Sequence, residues 1–360
     1  MIASNKTFFS KTYAMVLLQG VGIIIQMLTN IIFARHLDKE SFGELSIFMS
    51  LILLLAVPLI NPFYDLTIRE ISSKSFFSEK RKQYINFLIF SQLLISSFFC
   101  LLAYFFLNLH YTFEISINLI MNTVMFSILS LVTAYERGAN KVFYSQLLFA
   151  IIFPSLYLIF VIFSIINNIS DLGHYLNLRF YSSFIVSAIF FILMKPRASI
   201  MVKIPSKNIF SEYFSSSLSF FLVSGSGVIA KNFHIVLISS LLAISLSADF
   251  RIATLFSILF IQLFNILGIL TQTEFAKKEI FYGNNLKKLL VNVYVPLLLI
   301  SIFSFMFVII FGSSLIDFIF GLEYKNSVSI TIFLCFSYLL PILFGPVSFM
   351  LLMNGDEKFV

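Results

Sequence analysis

The chain has 360 residues, of which 59% are hydrophobic and only 11% are charged, whereas about a quarter of the residues in soluble domains are charged. This composition excludes an ordinary soluble domain and indicates a chain embedded in a membrane. The formal net charge of +7 gives no reason to expect nucleic acid as a partner, because basic residues that flank apolar runs serve topology and contact anionic lipid.

Apolar runs long enough to cross a bilayer recur along the whole chain. The first run follows Lys6 and Lys11 but has no small-residue cleavage site, so it is predicted to be a retained helix. The fold class predicted is therefore all-α, a polytopic membrane helix bundle of about ten transmembrane helices. The predicted spans are 12–34, 44–64, 84–107, 115–134, 143–166, 175–194, 217–243, 251–273, 289–312 and 328–353.

The distribution of Lys and Arg predicts the orientation of these spans, because basic flanks are retained in the cytoplasm. With the N-terminus inside, most of the basic residues lie in cytoplasmic segments. The outer segments hold only Arg35, Lys39, Arg179, Arg251 and Lys325. We therefore expect a multi-pass protein with a cytoplasmic N-terminus.

Two short similarities, both offset by 205 positions, indicate an internal repeat. Residues 19–22 (QGVG) match residues 224–227 (SGSG), and residues 43–47 match residues 248–252. Six spans separate the copies, and an even number preserves direction, so the repeats would be parallel, as in one known plan of transporter.

The repeat predicts two lobes joined by a basic segment. The expected domains are an N-terminal six-helix lobe over 1–194, a cytoplasmic linker over 195–216, and a C-terminal lobe of four helices over 217–360. The second lobe is thus expected to be incomplete. The C-terminal segment 354–360 resembles the loop after the fourth span, so an eleventh helix is expected where the sequence stops.

Lys231 is the most unusual residue of the sequence, because it lies near the middle of the apolar seventh span. An embedded lysine normally faces a bundle interior or a water-filled cavity, so we interpret it as an anion contact. A charge neutralised within the protein, or a neutral lysine, are the alternatives. His234 shares the face of Lys231, Asn232 lies about 100° away, and Gln26 corresponds to Lys231 by the repeat offset.

Other charged residues at the ends of the spans are weaker candidates. Arg35 and Arg251 can be interfacial anchors or ligand contacts. Asp65 and Arg69 are four residues apart and could pair at the inner end of the second span. Asp65 is also the most deeply embedded carboxylate, which makes it a candidate for binding a coupling cation.

Enzymatic chemistry has little support in the sequence. The four histidines show no metal-ligand spacing, and the two cysteines fall inside predicted spans. The paired glycines of the first and seventh spans follow no strand, which excludes a nucleotide-binding loop and favours helix packing or a hinge. We expect no catalytic residue, no metal and no cofactor.

Several segments carry a resemblance to a known family. Residues 32–43 (IFARHLDKESFG) are similar to the A-R-x-L-x(4)-F-G signature that joins the first two helices of polysaccharide exporters in the multidrug/oligosaccharidyl-lipid/polysaccharide exporter superfamily. Residues 248–253, 320–324 and 354–358 also match, while Asp38 replaces the more usual glycine.

This resemblance implies a flippase of the bacterial inner membrane for undecaprenyl-diphosphate-linked oligosaccharide units of O-antigen, capsular or exopolysaccharide. It implies alternating access between two lobes and a cationic cavity. The partners implied are the lipid-linked oligosaccharide, membrane lipids, the polysaccharide polymerase and the chain-length machinery. The implied substrate contacts are Lys231, Asn232, His234, Arg35, Arg69, Arg251 and Gln26, with Asp65 as a candidate for the coupling ion.

Two other functions remain open at this stage. A cation-coupled multidrug antiporter of the same superfamily would share the fold but would favour acidic residues in its cavity. A membrane polymerase or ligase of lipid-linked glycans would need a long outer loop, and the longest predicted loops have only about twenty residues.

Overall fold

The computed structural model describes residues 2–72, 79–139, 141–169, 171–194, 207–275, 286–287 and 290–347. Every regular element in these ranges is helical. This confirms the predicted all-α class and follows from composition, because a chain surrounded by hydrocarbon must satisfy its backbone hydrogen bonds internally. The chain divides into two compact units, Met1–Leu241 and Leu242–Val360.

The described part of the first unit contains eight α-helices, of which α5 and α6 are joined by a π-helical segment, Leu147–Ile152, into one span. The helices are α1 (Ile2–His36), α2 (Lys39–Ser72), α3 (Glu79–Asn108), α4 (Phe113–Gly138), α5 (Val142–Gln146), α6 (Phe153–Ile166), α7 (Leu172–Met194) and α8 (Lys207–Leu241).

In the described part of the second unit, a 3₁₀ turn and another π-helical segment accompany three long helices. Its elements are α9 (Ile244–Phe275), the π-helical segment Leu290–Tyr294, α10 (Val295–Ile319), the 3₁₀ turn Leu322–Tyr324 and α11 (Ser327–Leu343). The predicted linker 195–216 lies mostly outside the described residues, and the predicted lobe boundaries stay a prediction.

Within the described residues, nine helices are long and apolar enough to cross a membrane. The tenth predicted span corresponds to α11, which has 17 residues and is shorter than the about 20 residues that a typical span needs. The sixth span begins earlier than predicted, since α7 starts at Leu172. The sequence prediction of a polytopic bundle is confirmed.

Helix α2 is the central element of the first unit. It packs against both α4 and α8, and 61% of its most apolar window is buried, compared with 11% for α3. The sequence allows this burial because α2 is apolar around its whole circumference. Its hydroxyl groups donate hydrogen bonds to the backbone of the same helix, as Ser46 Oγ does to the Phe42 carbonyl at 2.8 Å. The helix continues through Pro58 and Pro62.

The corner between α1 and α2 is formed by the signature segment. Its apolar members are buried: Ala34 is 6% exposed, Leu37 7% and Phe42 1%. Asp38 accepts a hydrogen bond from the backbone N–H of Ser41 at 3.1 Å, which is the geometry of an N-cap on α2. Asp38 therefore replaces the usual glycine of this signature with a capping side chain.

Gly22 lets α1 approach the π-helical segment of the fifth span. A Cβ at Gly22 would overlap the carbonyl oxygen of Ala150, whereas a Cβ at Gly20 would meet nothing within 4 Å. Pro154 lies four residues after Ala150 and has no N–H to donate to that carbonyl. The same proline thus accounts for the π-helical hydrogen bonding and removes the ordinary α-helical donor of the Ala150 carbonyl that α1 contacts.

We predict that Gly22→Ala destabilises the protein and that Gly20→Ala does not. Alanine is a better helix former than glycine by about 1 kcal/mol, but overpacking of a tight contact costs about 1–3 kcal/mol. Thermal unfolding in detergent, followed by far-UV circular dichroism, measures both variants. A Gly22→Ala melting temperature equal to or above that of Gly20→Ala would contradict the close approach.

We predict that Asp38→Ala destabilises the corner by about 1 kcal/mol at neutral pH. The hydrogen bonds from Ser41 hold the pKa of the Asp38 carboxyl below its usual value. A carboxyl with a lowered pKa in the folded state stabilises at pH values above its unfolded pKa, and this contribution is lost in acid. The difference between wild type and Asp38→Ala should narrow below about pH 4.

Thermal melts of both proteins between about pH 3 and pH 7 check this expectation. Asp38→Asn is the control, because its amide oxygen can still cap the helix. A difference that is constant over this pH range would exclude the ionised carboxylate as its cause.

Candidate functional site

Helices α2 and α8 meet closely, and polar side chains join them. A Cβ on Gly225 would lie 3.1 Å from Cγ1 of Val57, so the glycine permits the approach. Next to it, Ser224 Oγ donates a hydrogen bond to Oδ2 of Asp65 at 2.8 Å. The packing interpretation of the glycine pairs is thus confirmed at Gly22 and Gly225; nothing lies within 4 Å of a Cβ at Gly227.

Arg69 lies one turn beyond Asp65 on α2 and binds a different carboxylate. Its Nε donates to Oε1 of Glu70 at 3.2 Å, and its Nη2 lies 3.1 Å from the same oxygen. The guanidinium also lies over the Phe220 ring of α8, 5.4 Å from the centroid. Its side chain is 51% exposed, while that of Glu70 is 10% exposed.

The predicted ion pair between Asp65 and Arg69 is therefore wrong. Asp65 accepts a hydrogen bond from a hydroxyl of α8. Glu70, which is next to Arg69 in the sequence, forms the ion pair with its guanidinium. Glu70 and Ser224 are site residues that the sequence interpretation missed. A signal was present in both cases, because Glu70 is a second carboxylate in the same helix and Ser224 lies in the glycine motif.

The C-terminal end of α4 adds further charges to the same end of the first unit. Glu136 is 2% exposed and pairs with Lys141 at 3.4 Å, which closes the turn into α5. Arg137 lies over the Tyr64 ring of α2, 5.8 Å from the centroid. Gly138 is in tight contact with α2, since a Cβ there would lie 2.7 Å from Cβ of Ile71.

Lys231 lies within α8, whose helical backbone runs without a break from Lys207 to Leu241. The side chain of Lys231 lies outside the described residues. Asn232 Nδ2 donates to the Val228 carbonyl of its own helix at 2.9 Å, and His234 is partly buried one turn beyond Lys231.

The remaining predicted contacts are on other helices. Gln26 is exposed on α1, and Arg35 is exposed in the last turn of that helix. Arg251 belongs to α9 of the second unit, where Asp249 and Ile252 are fully buried beside it. Of the predicted site residues, the structure brings Asp65 and Arg69 to one region of the α2–α8 contact.

Among the described residues, no group of three or more His, Cys, Asp or Glu side chains is arranged to hold a metal ion. The chemistry of the α2–α8 region is that of hydroxyl, carboxylate and guanidinium groups in an apolar helix pair. Such groups can bind a polar or charged ligand, and a carboxylate of this kind can also take up a proton or a cation.

The helices and these embedded polar groups define a multi-pass helical membrane protein. The chain aligns with a solved structure described as a MATE protein in the bent conformation, with 16% sequence identity and a TM-score of 0.50. The alignment covers 94% of this chain and 81% of that one. At this identity the likeness concerns the fold. No protein-family model and no curated protein sequence matches the chain.

We predict that Asp65 and Ser224 are coupled energetically. Hydrogen bonds between transmembrane helices contribute about 0.6 kcal/mol on average and up to about 1.7 kcal/mol, and we expect the coupling energy to lie in this range. A double-mutant cycle with Asp65→Ala and Ser224→Ala, measured by unfolding in detergent, gives the coupling energy. Strictly additive effects of the two substitutions would show that this bond is not formed in solution.

Proposed function

We propose that the protein is a flippase that translocates undecaprenyl-diphosphate-linked oligosaccharide repeat units from the cytoplasmic to the periplasmic leaflet of the bacterial inner membrane. The fold shared with a MATE structure supports a transporter of the multidrug/oligosaccharidyl-lipid/polysaccharide exporter superfamily. The signature corner of residues 32–43 favours its polysaccharide branch.

The observation that carries this proposal is a lysine inside an unbroken apolar helix. Lys231 is ten residues before the end of α8 at Leu241, a distance of roughly 15 Å at 1.5 Å per residue. A lysine at such a depth costs at least about 2.5–3.5 kcal/mol unless it reaches water or a counter-charge. A diphosphate that crosses the membrane would supply this counter-charge, since charge pairs are strong in a low dielectric.

In the proposed cycle, the substrate contacts on α8 are Lys231, Asn232 and His234. The weaker contacts are Arg35, Arg69, Arg251 and Gln26. Alternating access would expose them first to the cytoplasm and then to the periplasm. The polysaccharide polymerase and the chain-length machinery would receive the product, and the N-terminus would be cytoplasmic.

A second candidate function is cation-coupled multidrug export. The bond between Asp65 and Ser224 favours it, because an embedded carboxylate held by a hydroxyl can exchange a proton or a metal cation with its surroundings. In a flippase, the same group would serve as the coupling site. The two functions differ in the charge of the cargo, which is anionic for the flippase and cationic for the drug exporter.

We predict that Lys231→Ala lowers the rate of lipid flipping by at least about tenfold, which corresponds to about 1.4 kcal/mol of lost stabilisation. The assay uses the purified protein in proteoliposomes and a fluorescent prenyl-diphosphate-linked oligosaccharide, with access to the outer leaflet reported by a lectin. Lys325→Ala is the matched control, because Lys325 is exposed in the loop after the 3₁₀ turn and should not affect flipping.

The outcomes separate the two functions. If wild type and Lys325→Ala flip the lipid but Lys231→Ala does not, the result supports both the flippase and Lys231 as a substrate contact. No flipping, combined with proton- or sodium-driven export of a cationic dye that Asp65→Asn abolishes, would instead favour the multidrug exporter. Normal flipping by a well-folded Lys231→Ala variant would exclude Lys231 as a substrate contact.

A further inference from the structure

Arg179 is embedded deeply in the first unit, although the sequence interpretation assigned it to an outer segment. It is the eighth residue of α7, which begins at Leu172, and it lies inside a candidate span over Leu172–Ile192. The structure therefore places this cation inside a span, within the predicted bounds 175–194, and not in an outer segment.

The side chains that Arg179 contacts lie further from the starts of their helices than Arg179 does from the start of α7. Its guanidinium contacts Met49 of α2, with Nη1 directed at the sulfur, and lies over the Phe126 ring of α4, 5.5 Å from the centroid. Met49 is ten residues into α2 and Phe126 is thirteen residues into α4, which is roughly 15 and 20 Å from the starts of these helices. All three helices are predicted to start on the outer side, so the guanidinium lies near the middle of the span.

The immediate partners of Arg179 are weak for a full positive charge. A thioether is a poor acceptor, and one aromatic face satisfies only part of a planar group with five N–H donors. Among the described residues, no carboxylate lies within ion-pair distance of this arginine. An embedded arginine without a carboxylate is unusual, because such residues normally pair with another group or face a water-filled cavity.

Arg179 is partly exposed as a whole residue, and none of its nitrogen atoms is both buried and without a hydrogen-bond partner. One turn earlier on α7, the carbonyl of Leu176 accepts a hydrogen bond from Asn122 Nδ2 at 3.0 Å. Oδ1 of Asn122 is buried and has no hydrogen-bond partner in the described part of the chain, so the α4–α7 contact also offers an unused acceptor.

We propose that Arg179 is an anion-binding residue of the first unit, which contacts a phosphate or carboxylate group of the transported lipid-linked glycan. This inference rests on the proposed function. Arginine suits the task because its fork of donors matches either anion with two parallel hydrogen bonds. The unused amide oxygen of Asn122 would suit a sugar hydroxyl. The anion can come from two parts of the substrate, the diphosphate or an acidic sugar.

A purely structural role for Arg179 predicts a different behaviour. Well-packed apolar residues often replace embedded charges without loss of stability, so Arg179→Met should then fold normally and bind anions as the wild type does. If Arg179 holds the anion, Arg179→Met should fold but lose binding.

The experiment is isothermal titration calorimetry of the full chain in detergent, with sodium pyrophosphate and sodium glucuronate as separate probes. We expect wild type to bind at least one of them and Arg179→Met to bind it at least tenfold more weakly. Binding of pyrophosphate assigns the residue to the diphosphate, and binding of glucuronate assigns it to an acidic sugar. Arg137→Met is the matched control, because Arg137 also lies over an aromatic ring, 5.8 Å from its centroid, and should retain wild-type affinity.

Equal affinity in wild type and Arg179→Met, or no binding of either probe by wild type, would overturn the inference. If Arg179→Met does not fold, Arg179→Gln replaces it, because the amide keeps hydrogen-bonding groups while removing the charge; the same tenfold loss is expected. Flipping in proteoliposomes separates this inference from the proposed function. If the wild-type protein flips the lipid and the Arg179 variants bind the probe and flip the lipid normally, only the role of Arg179 is contradicted. If the wild-type protein binds the probe but does not flip the lipid, only the flippase is contradicted.

Discussion

Hydrocarbon offers no hydrogen bond to a peptide group, and this constraint governs the described parts of both units. Where the helical pattern is interrupted, another group takes over. Pro154 cannot donate to Ala150, so the helix widens into π-helical bonding there, and α1 packs against the Ala150 carbonyl through Gly22. The same need explains the many hydroxyls that bond to the preceding turn of their own helix, such as Ser50 to the Ser46 carbonyl at 2.9 Å.

The same low dielectric determines which charges can be tolerated. In the described part of the first unit, three carboxylates near the predicted inner end of the bundle have protein donors. Asp65 accepts from Ser224, Glu70 from Arg69, and Glu136 lies beside Lys141. Arg179 differs from these groups, because its neighbours are a thioether and an aromatic ring. These carboxylates thus have hydrogen-bond donors or cations within the protein, while among the described residues Arg179 has no carboxylate at ion-pair distance.

The sequence predicts the class of fold well because apolar length and basic flanks are local properties. The segment 32–43 was correctly placed at the corner of the first two helices, and Gly22 and Gly225, but not Gly20 or Gly227, occupy packing positions as interpreted. Pairing is less predictable, since it depends on which helices are neighbours. Periodicity put Asp65 beside Arg69, but it carries no information on Ser224, which lies 159 positions away along the chain.

The position of Arg179 shows a further limit of hydropathy. The sixth span was predicted over 175–194, yet Arg179 was counted among the basic residues of the outer segments. The helix nevertheless begins at Leu172, because Asp171 accepts a hydrogen bond from the backbone N–H of His174 at 2.8 Å and caps its first turn. A capping residue therefore fixes the start of this helix where polarity alone would place it later.

The lack of a carboxylate beside Arg179 has a physical meaning if the cargo is anionic. A permanent ion pair would compete with the substrate, and the substrate would have to displace a carboxylate that is always at high local concentration. A guanidinium held by a ring and a sulfur, with Tyr157 as a further electrostatic neighbour, would keep its orientation and leave its strongest interactions for an incoming anion. Because these neighbours also stabilise the empty state, the anion need not be bound so tightly that it cannot leave. A transporter needs this balance, since a ligand that binds one state too strongly stops the cycle. Weak protein partners around a deep cation are thus better suited to transport than a complete ion pair.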